Sequence, residues 1–267
     1  MNRFKKYQAI FSISLQESLQ FRGQMFFWML LEMCQLLAII LVWRAIFKSQ
    51  ASVEVYSFQQ IVTYYISVFM VESLTAAHNE YNMEDIVRTG KLTKYLTRPM
   101  SFFWYRWANN MAWRVLRLLT TVPVYIIIFY LFRQYVVFPT SNALLRFILT
   151  VCLSFILYFL VSYMISYIAF WLLKITSLIN LIRYSLLQIL SGFLIPLDLF
   201  PKWFITLTDY LPFKYLIYFP VKVYLGQVSG PAFWHGVLMI LLWITVLGIL
   251  VKVIWPFALR KYEAVGI

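Results

Sequence analysis

Residues 232–255 read AFWHGVLMILLWITVLGILVKVIW, and Lys252 is the only Lys, Arg, Asp or Glu among them. A helix rising about 1.5 Å per residue needs roughly 20 such residues to cross the hydrocarbon core of a bilayer. Similar runs recur at about 26–47, 58–77, 111–132, 143–173 and 178–199. The remainder is too short to clothe them in polar surface. Of the 267 residues, 63% are hydrophobic and 12% charged, against roughly 45–50% and 25% in soluble domains. The expectation is an all-α polytopic membrane protein of one domain, with six transmembrane helices. The run at 143–173 exceeds one straight crossing, which tilt or extension past the bilayer accommodates.

The charges orient these spans. With both termini inside, fourteen of the 23 Lys and Arg fall on the inner side, from Arg3 to Lys261 and including Arg106, Lys174 and Arg183. The outer side holds Lys48, Arg133, Arg146, Lys202, Lys214 and Lys222, while Arg44, Arg114 and Arg117 fall in or at the ends of spans. Basic residues concentrate in cytoplasmic loops, so the bias predicts an N-in/C-in chain. The same rule reads the +13 net charge as basic loops, with no nucleic acid as partner.

Residues 1–24 lack the continuous apolar core and small-residue cleavage site of a signal peptide. They place Phe4, Tyr7, Phe11, Leu15 and Leu19 at helical spacing, which suits an N-terminal amphipathic helix lying in the membrane interface. Cys34 and Cys152 sit inside apolar runs and read as buried small hydrophobes. Tyr56, Tyr64, Tyr65, Trp104, Trp107, Trp113, Trp203, Trp234 and Trp255 cluster near span ends, as an interfacial aromatic belt would.

Charges within the spans need partners, because an uncompensated charge near the bilayer centre costs at least a few kcal/mol. Arg44 lies close enough to a span end to snorkel. Glu32 and Glu72 have two readings. One pairs them with Arg114 or Arg117 at the start of the third span; the other lines a path that takes a cationic substrate.

The connection 78–110 reads HNEYNMEDIVRTGKLTKYLTRPMSFFWYRWANN. Asn82 is placed to cap a helix of about two turns, with Asp85 at its third position and Gly90 ending it. Glu84 and Asp85 favour the positive helix start, and Ile86, Val87 and Leu92 give a small apolar face. This loop resembles the one after the second span in ATP-binding-cassette (ABC) type-2 permeases. In that family a short coupling helix is followed by Gly-x-Leu and Leu-x-x-Pro, here Gly90-Lys91-Leu92 and Leu96-Thr97-Arg98-Pro99. The stretches SGFLIPLDLFP and RKYEAVGI are similar to those of the small, freestanding export permeases of that family.

The resemblance implies a permease in the cell (cytoplasmic or inner) membrane. It would pair with a second permease chain, identical or related, and dock on separate ABC ATPase subunits. Those subunits, not this chain, would bind ATP and Mg. Within the 78–110 coupling loop, Glu84, Asp85, Ile86, Val87, Arg88, Gly90 and Leu92 would contact or shape the ATPase groove.

Consistent with a chain that holds no nucleotide, no G-x-x-x-x-G-K-[ST] phosphate loop occurs among its eight glycines. No H-E-x-x-H occurs either, His78 and His235 are far apart, and the ten carboxylates are scattered, so no catalytic or metal cluster is expected. Two other classes remain beside the exporter: a gradient-driven secondary transporter using Glu32 or Glu72, and a non-transporting assembly factor.

Residues 200–231 are too interrupted to span. Pro196 and Pro201 are expected to end the fifth span after Ser191-Gly192. Asp198 would then sit near the start of a short helix, and Leu211-Pro212-Phe213 at the turn of a re-entrant helical hairpin between spans 5 and 6. Type-2 permeases carry such a pair near the outer mouth of their path. Gly192, Pro196, Asp198, Pro201 and Pro212 are therefore the candidate gate residues.

Overall fold

The computed structural model describes residues 3–49, 56–172 and 175–262, and within them the chain is helical. Lys174 and the C-terminal EAVGI of the sequence argument lie outside the described residues, as do the side chains of Arg3, Phe4 and Arg22. The helices are α1 (Arg3–Gln20), α2 (Arg22–Ser49), α3 (Phe58–Thr75), α4 (Asn79–Arg88), α5 (Leu92–Leu96), α6 (Phe102–Leu131) and α7 (Ser141–Ser166). There follow α8 (Thr176–Leu181), α9 (Gln188–Leu190), α10 (Lys202–Asp209), α11 (Tyr218–Tyr224) and α12 (Gly230–Lys261).

Among the described residues four stretches are long and apolar enough to cross a membrane: Gly23–Lys48, Phe102–Leu131, Ser141–Phe170 and Gly230–Lys261. The last extends beyond its expected limits at both ends, while Ser141–Phe170 starts two residues before and ends three before its expected limits, α7 continuing as a 3₁₀ turn through Phe170. α6 starts nine residues before 111, so the end of the expected 78–110 loop is already helix.

The other two expected spans are shorter. α3 has 18 residues, of which twelve are buried. Ser57 and Gln60 close a capping box at its start. It lies among α2, α6, α7 and α11, so Tyr64, Tyr65 and Glu72 meet protein instead of lipid. The fifth run forms α8, a π-helical segment at Ile182–Leu187 and α9. It ends at Leu190, well before Pro196.

Gly192 stops it, with φ +74°. That conformation favours glycine, and an added Cβ would sit 3.0 Å from both the Tyr218 side chain and the Tyr64 hydroxyl. Pro196 therefore follows a helix already ended, and Pro201 occupies the cap position of α10. At Gly236 of α12 a Cβ would overlap the Phe219 ring, so the absence of a side chain there is what seats that ring.

α1 runs along α6. The half-buried Tyr7, Phe11 and Leu15 face that contact together with the buried Ser14 and Ser18, while Leu19 is exposed. The aromatic belt divides. Trp104, Trp113, Trp203 and Trp234 are exposed, but Tyr56, Tyr64 and Tyr65 are fully buried. Trp107 and Trp255 pack inward, at 4.9 Å from Phe159 and 5.8 Å from Phe102 between ring centres. Cys34 and Cys152 are free and exposed on α2 and α7, not buried as their apolar context suggested.

Candidate functional site

α3 and α4 are separated by Ala76, Ala77 and His78. A helix end leaves carbonyls without intrahelical donors, and here two arginines take them. Arg114 donates to the Ser73 and Ala76 carbonyls. Arg183 donates to the Ala77 carbonyl at 2.9 Å. Cations at a helix C-terminus also oppose the partial negative charge there.

Arg183 then pairs with Glu80 of α4 at 2.6 Å, and the two side chains are only 6% and 2% exposed. The Ser162 hydroxyl of α7 donates to Glu80 and accepts from the Asn79 backbone N–H at 2.8 Å. The Asn79 side-chain oxygen accepts from Arg106 at 3.1 Å and Asn110 at 2.9 Å. The His78 ring nitrogen Nε2 lies 3.3 Å from Arg183. α4 is thus rooted in α6, α7 and the π-helical segment by one buried polar network.

The charge bias places Arg106 and Arg183 among the loop cations, whereas both are buried and contribute nothing to a surface charge. The sequence reading singles out neither them nor Asn79 and Glu80 as site residues. The available signal is a lone cation in LINLIRYSLLQIL, the same signal that marks Glu32 and Glu72.

Those two carboxylates differ in their surroundings. Glu32 pairs with Arg117, one of its two expected partners. Among the described residues Glu72 forms no ion pair. It lines a small cavity with Tyr158, Arg183, Gln188 and Ser191. Arg114, spent on backbone carbonyls and stacked 5.2 Å over Phe155, is a partner to neither.

α4 begins at Asn79 and runs three turns, so Asn82 lies inside it and donates to the His78 carbonyl instead of capping. The anchored Asn79 N–H fixes this earlier start. Gly90, at φ +70°, closes the turn as expected. Met83, Ile86 and Leu92 point into the core, and Ile86 and Leu92 therefore shape the loop from within. Glu84, Asp85 and Val87 are half-buried and Arg88 is exposed. Asp85 holds Lys91 at 2.8 Å, and Glu84 accepts from Thr176 of α8 at 2.8 Å. Glu84, Arg88, Thr176 and Ser177 line an open groove between the two helices. Tyr262, just past α12, donates to the Gly90 carbonyl at 2.8 Å and accepts from the Thr93 N–H at 3.3 Å.

At the opposite end, the segment after Gly192 lies on α3 and α11. Tyr64 and Tyr65 donate to the Gly192 and Leu194 carbonyls at 2.5 and 2.9 Å. Asp198 sits in a 3₁₀ turn ahead of α10. Its partners are side chains, not helix N–H groups: Tyr56, Tyr218 at 2.5 Å and Lys222 at 2.9 Å. Burial opposes its charge, but the two phenols and the lysine outweigh burial and hold the carboxyl below the usual aspartate range. α10 and α11 form a helix–turn–helix with Pro212 in the connection. α11 is buried, whereas α10 exposes Trp203 and Leu207.

A family model described as ABC-2 family transporter protein matches residues 33–266. That match takes in α3 to α12, and with them the α3–α4 junction, the groove and the Asp198 cluster. No curated protein and no solved structure matches the chain.

Proposed function

From the premise that the chain belongs to the ABC-2 transporter family, we propose that it is the permease subunit of an ABC exporter driven by separate ATPase subunits. The observation that carries this reading is the two-sided character of α4. One side is locked to the membrane helices through Glu80 and Arg183. The other offers Glu84, Asp85, Val87 and Arg88 around a groove. A helix built this way passes a push at its exposed face to α8, α9 and α6.

On this reading the ATPase subunits bind ATP and Mg, and two permease chains, identical or related, enclose the path. The chain sits N-in/C-in in the cell membrane. α3 and the α8–α9 segment complete a set of six crossings inside the protein shell. α10 and α11 form the re-entrant hairpin over the outer mouth, with Gly192, Pro196, Asp198, Pro201 and Pro212 setting its position. The cavity beside Glu72 belongs to the path.

Co-purification in mild detergent tests the reading: an ATPase subunit should travel with the chain. Arg88→Glu should abolish its stimulation of ATP hydrolysis while leaving the permease folded. Ile86→Asp is the wrong probe, since Ile86 is buried and the variant would damage folding. Absence of any ATPase from the native complex would overturn the proposal. The unpaired Glu72 carboxyl favours one alternative, a gradient-driven transporter, which flux driven by a proton gradient alone would establish.

A further inference from the structure

Two contacts gather cations that are distant in sequence at the α5 end of the molecule. Lys6 of α1 donates to the Pro99 carbonyl, which brings the start of α1 against the segment after α5. Tyr262 bonds to Gly90 and Thr93, which brings the end of α12 against the segment before it. Lys5, Lys94, Arg98, Arg260 and Lys261 are all solvent-facing, and with Lys6 they surround α5 and the first turn of α6.

Among the described residues little nearby negative charge answers them. Asp85 is taken by Lys91 and Arg88. Glu17 lies eleven residues beyond Lys6 along α1, about 16 Å away at helical rise. None of these six cations has a carboxylate partner among the described residues. Between them stand exposed apolar side chains, Leu96, Trp104 and Phe257. Arg260 is itself placed over the Phe257 ring, 5.7 Å from its centre. Cations interleaved with tryptophan and leucine at the end of a spanning helix belong at the headgroup level, with the apolar groups in the acyl boundary. The ATPase-facing groove lies elsewhere, between α4 and α8.

We infer that this basic collar around α5 is a binding surface for anionic phospholipid headgroups. Their phosphates would supply the negative charge that the described residues around the collar do not, and clustered lysine and arginine beside a membrane helix attract such headgroups in a salt-dependent way. The collar joins α1, α5 and α12, so a headgroup seated there ties the coupling turn to both chain ends. This inference does not rest on ATPase coupling and survives if that reading fails.

The test uses the full chain in phosphatidylcholine nanodiscs with trace spin-labelled phosphatidylglycerol or phosphatidylcholine. The immobilised fraction should favour phosphatidylglycerol several-fold at low salt, and the preference should fall towards one at high salt. Lys94→Gln, Arg98→Gln, Arg260→Gln and Lys261→Gln together should remove it, whereas Lys48→Gln with Lys202→Gln at the other end should not. All six side chains face outward, so a single symmetric size-exclusion peak is expected for both variants. No preference in the wild type, or an undiminished one in the quadruple variant, overturns the inference. So does a quadruple variant that keeps its lipid preference and loses a co-purifying protein, which would assign the collar to that protein.

Discussion

At one end of α3, the carbonyls of Ser73, Ala76 and Ala77 are held by Arg114 and Arg183. At the other, Tyr56, just before the Ser57 cap, gives its phenol to Asp198, which also holds Lys222 and Tyr218. Each end is tied to distant chain by one ion pair and several hydrogen bonds, but the surroundings differ. Glu80 and Arg183 are 2% and 6% exposed, whereas Asp198 and Lys222 are 24% and 12% exposed. A fully buried pair has no water to replace a lost partner, so it persists or fails as a unit. The partly exposed Asp198 and Lys222 can trade a partner for water. The α4 end is accordingly built as a rigid joint and the Gly192 end as an adjustable one.

The comparison breaks first at Arg183. Arg183→Met leaves Glu80 charged and buried, and the Ala77 carbonyl without its donor. Loss of one member of such a pair costs about 3–5 kcal/mol, so the thermal midpoint in detergent should fall further than for Asp198→Asn or Gly192→Ala. Glu80→Met added to Arg183→Met should recover part of that loss and not all, because the Ala77 carbonyl stays unpaired. Full recovery would show that Arg183 serves only the ion pair.

Asp198→Asn is the matching change at the other end. It keeps the shape and removes the charge, and should cost about 2 kcal/mol at neutral pH, as hydrogen bonds to a charged group do. The folded-state pKa is depressed, so the stabilisation is present above the unfolded value near 3.9 and lost as pH falls through the folded one. The gap between wild type and Asp198→Asn should be constant from about pH 8 to 5 and close below about pH 4. A gap that closes near neutrality would mean that another group is responsible.

Gly192→Ala sharpens the same end without touching a charge. The left-handed conformation costs an L-residue about 1–2 kcal/mol, and the new methyl group would press on Tyr218 and Tyr64. The variant should be destabilised by that amount, and by more than Pro196→Ala, because Pro196 follows a helix that has already stopped. Equal losses would return the helix-ending role to proline.

These sites mark how far single-sequence reading extends. The long apolar helices were legible because length and composition dictate them, and α3 begins at Phe58, where its apolar run begins. Gly90 was legible as a helix stop by its chemistry. The Glu80–Arg183 joint was not, since its members are 103 residues apart and nothing local says which carboxylate meets which cation. Ending the fifth run at Pro196 gave proline the stop that Gly192, four residues earlier and named only as a gate residue, already imposes. The burial of Ile86 and Leu92 escaped for a related reason: a short amphipathic helix has the same pattern whether its apolar side meets a partner or its own core.

The smallest expected effect separates the two membrane carboxylates. Glu32 and Arg117 are 29% and 19% exposed, but both lie within spanning helices, where a charge left without its partner costs a few kcal/mol. Arg117→Gln should therefore lower the thermal midpoint, and Glu32→Gln added to it should recover part of that loss by removing the stranded carboxylate. Glu72 has no ion pair to lose among the described residues, so Glu72→Gln should fold as wild type while altering whatever the cavity with Tyr158, Arg183 and Gln188 admits. If the chain works with an ATPase as proposed, stimulated ATP hydrolysis of the complex, read beside the thermal midpoint, distinguishes the outcomes. A folded Glu72→Gln protein with altered stimulation assigns Glu72 to the path. A Glu72→Gln protein that unfolds with the severity of Arg183→Met would instead make Glu72 a third member of the buried joint, and would extend that rigid region one helical turn further along α3.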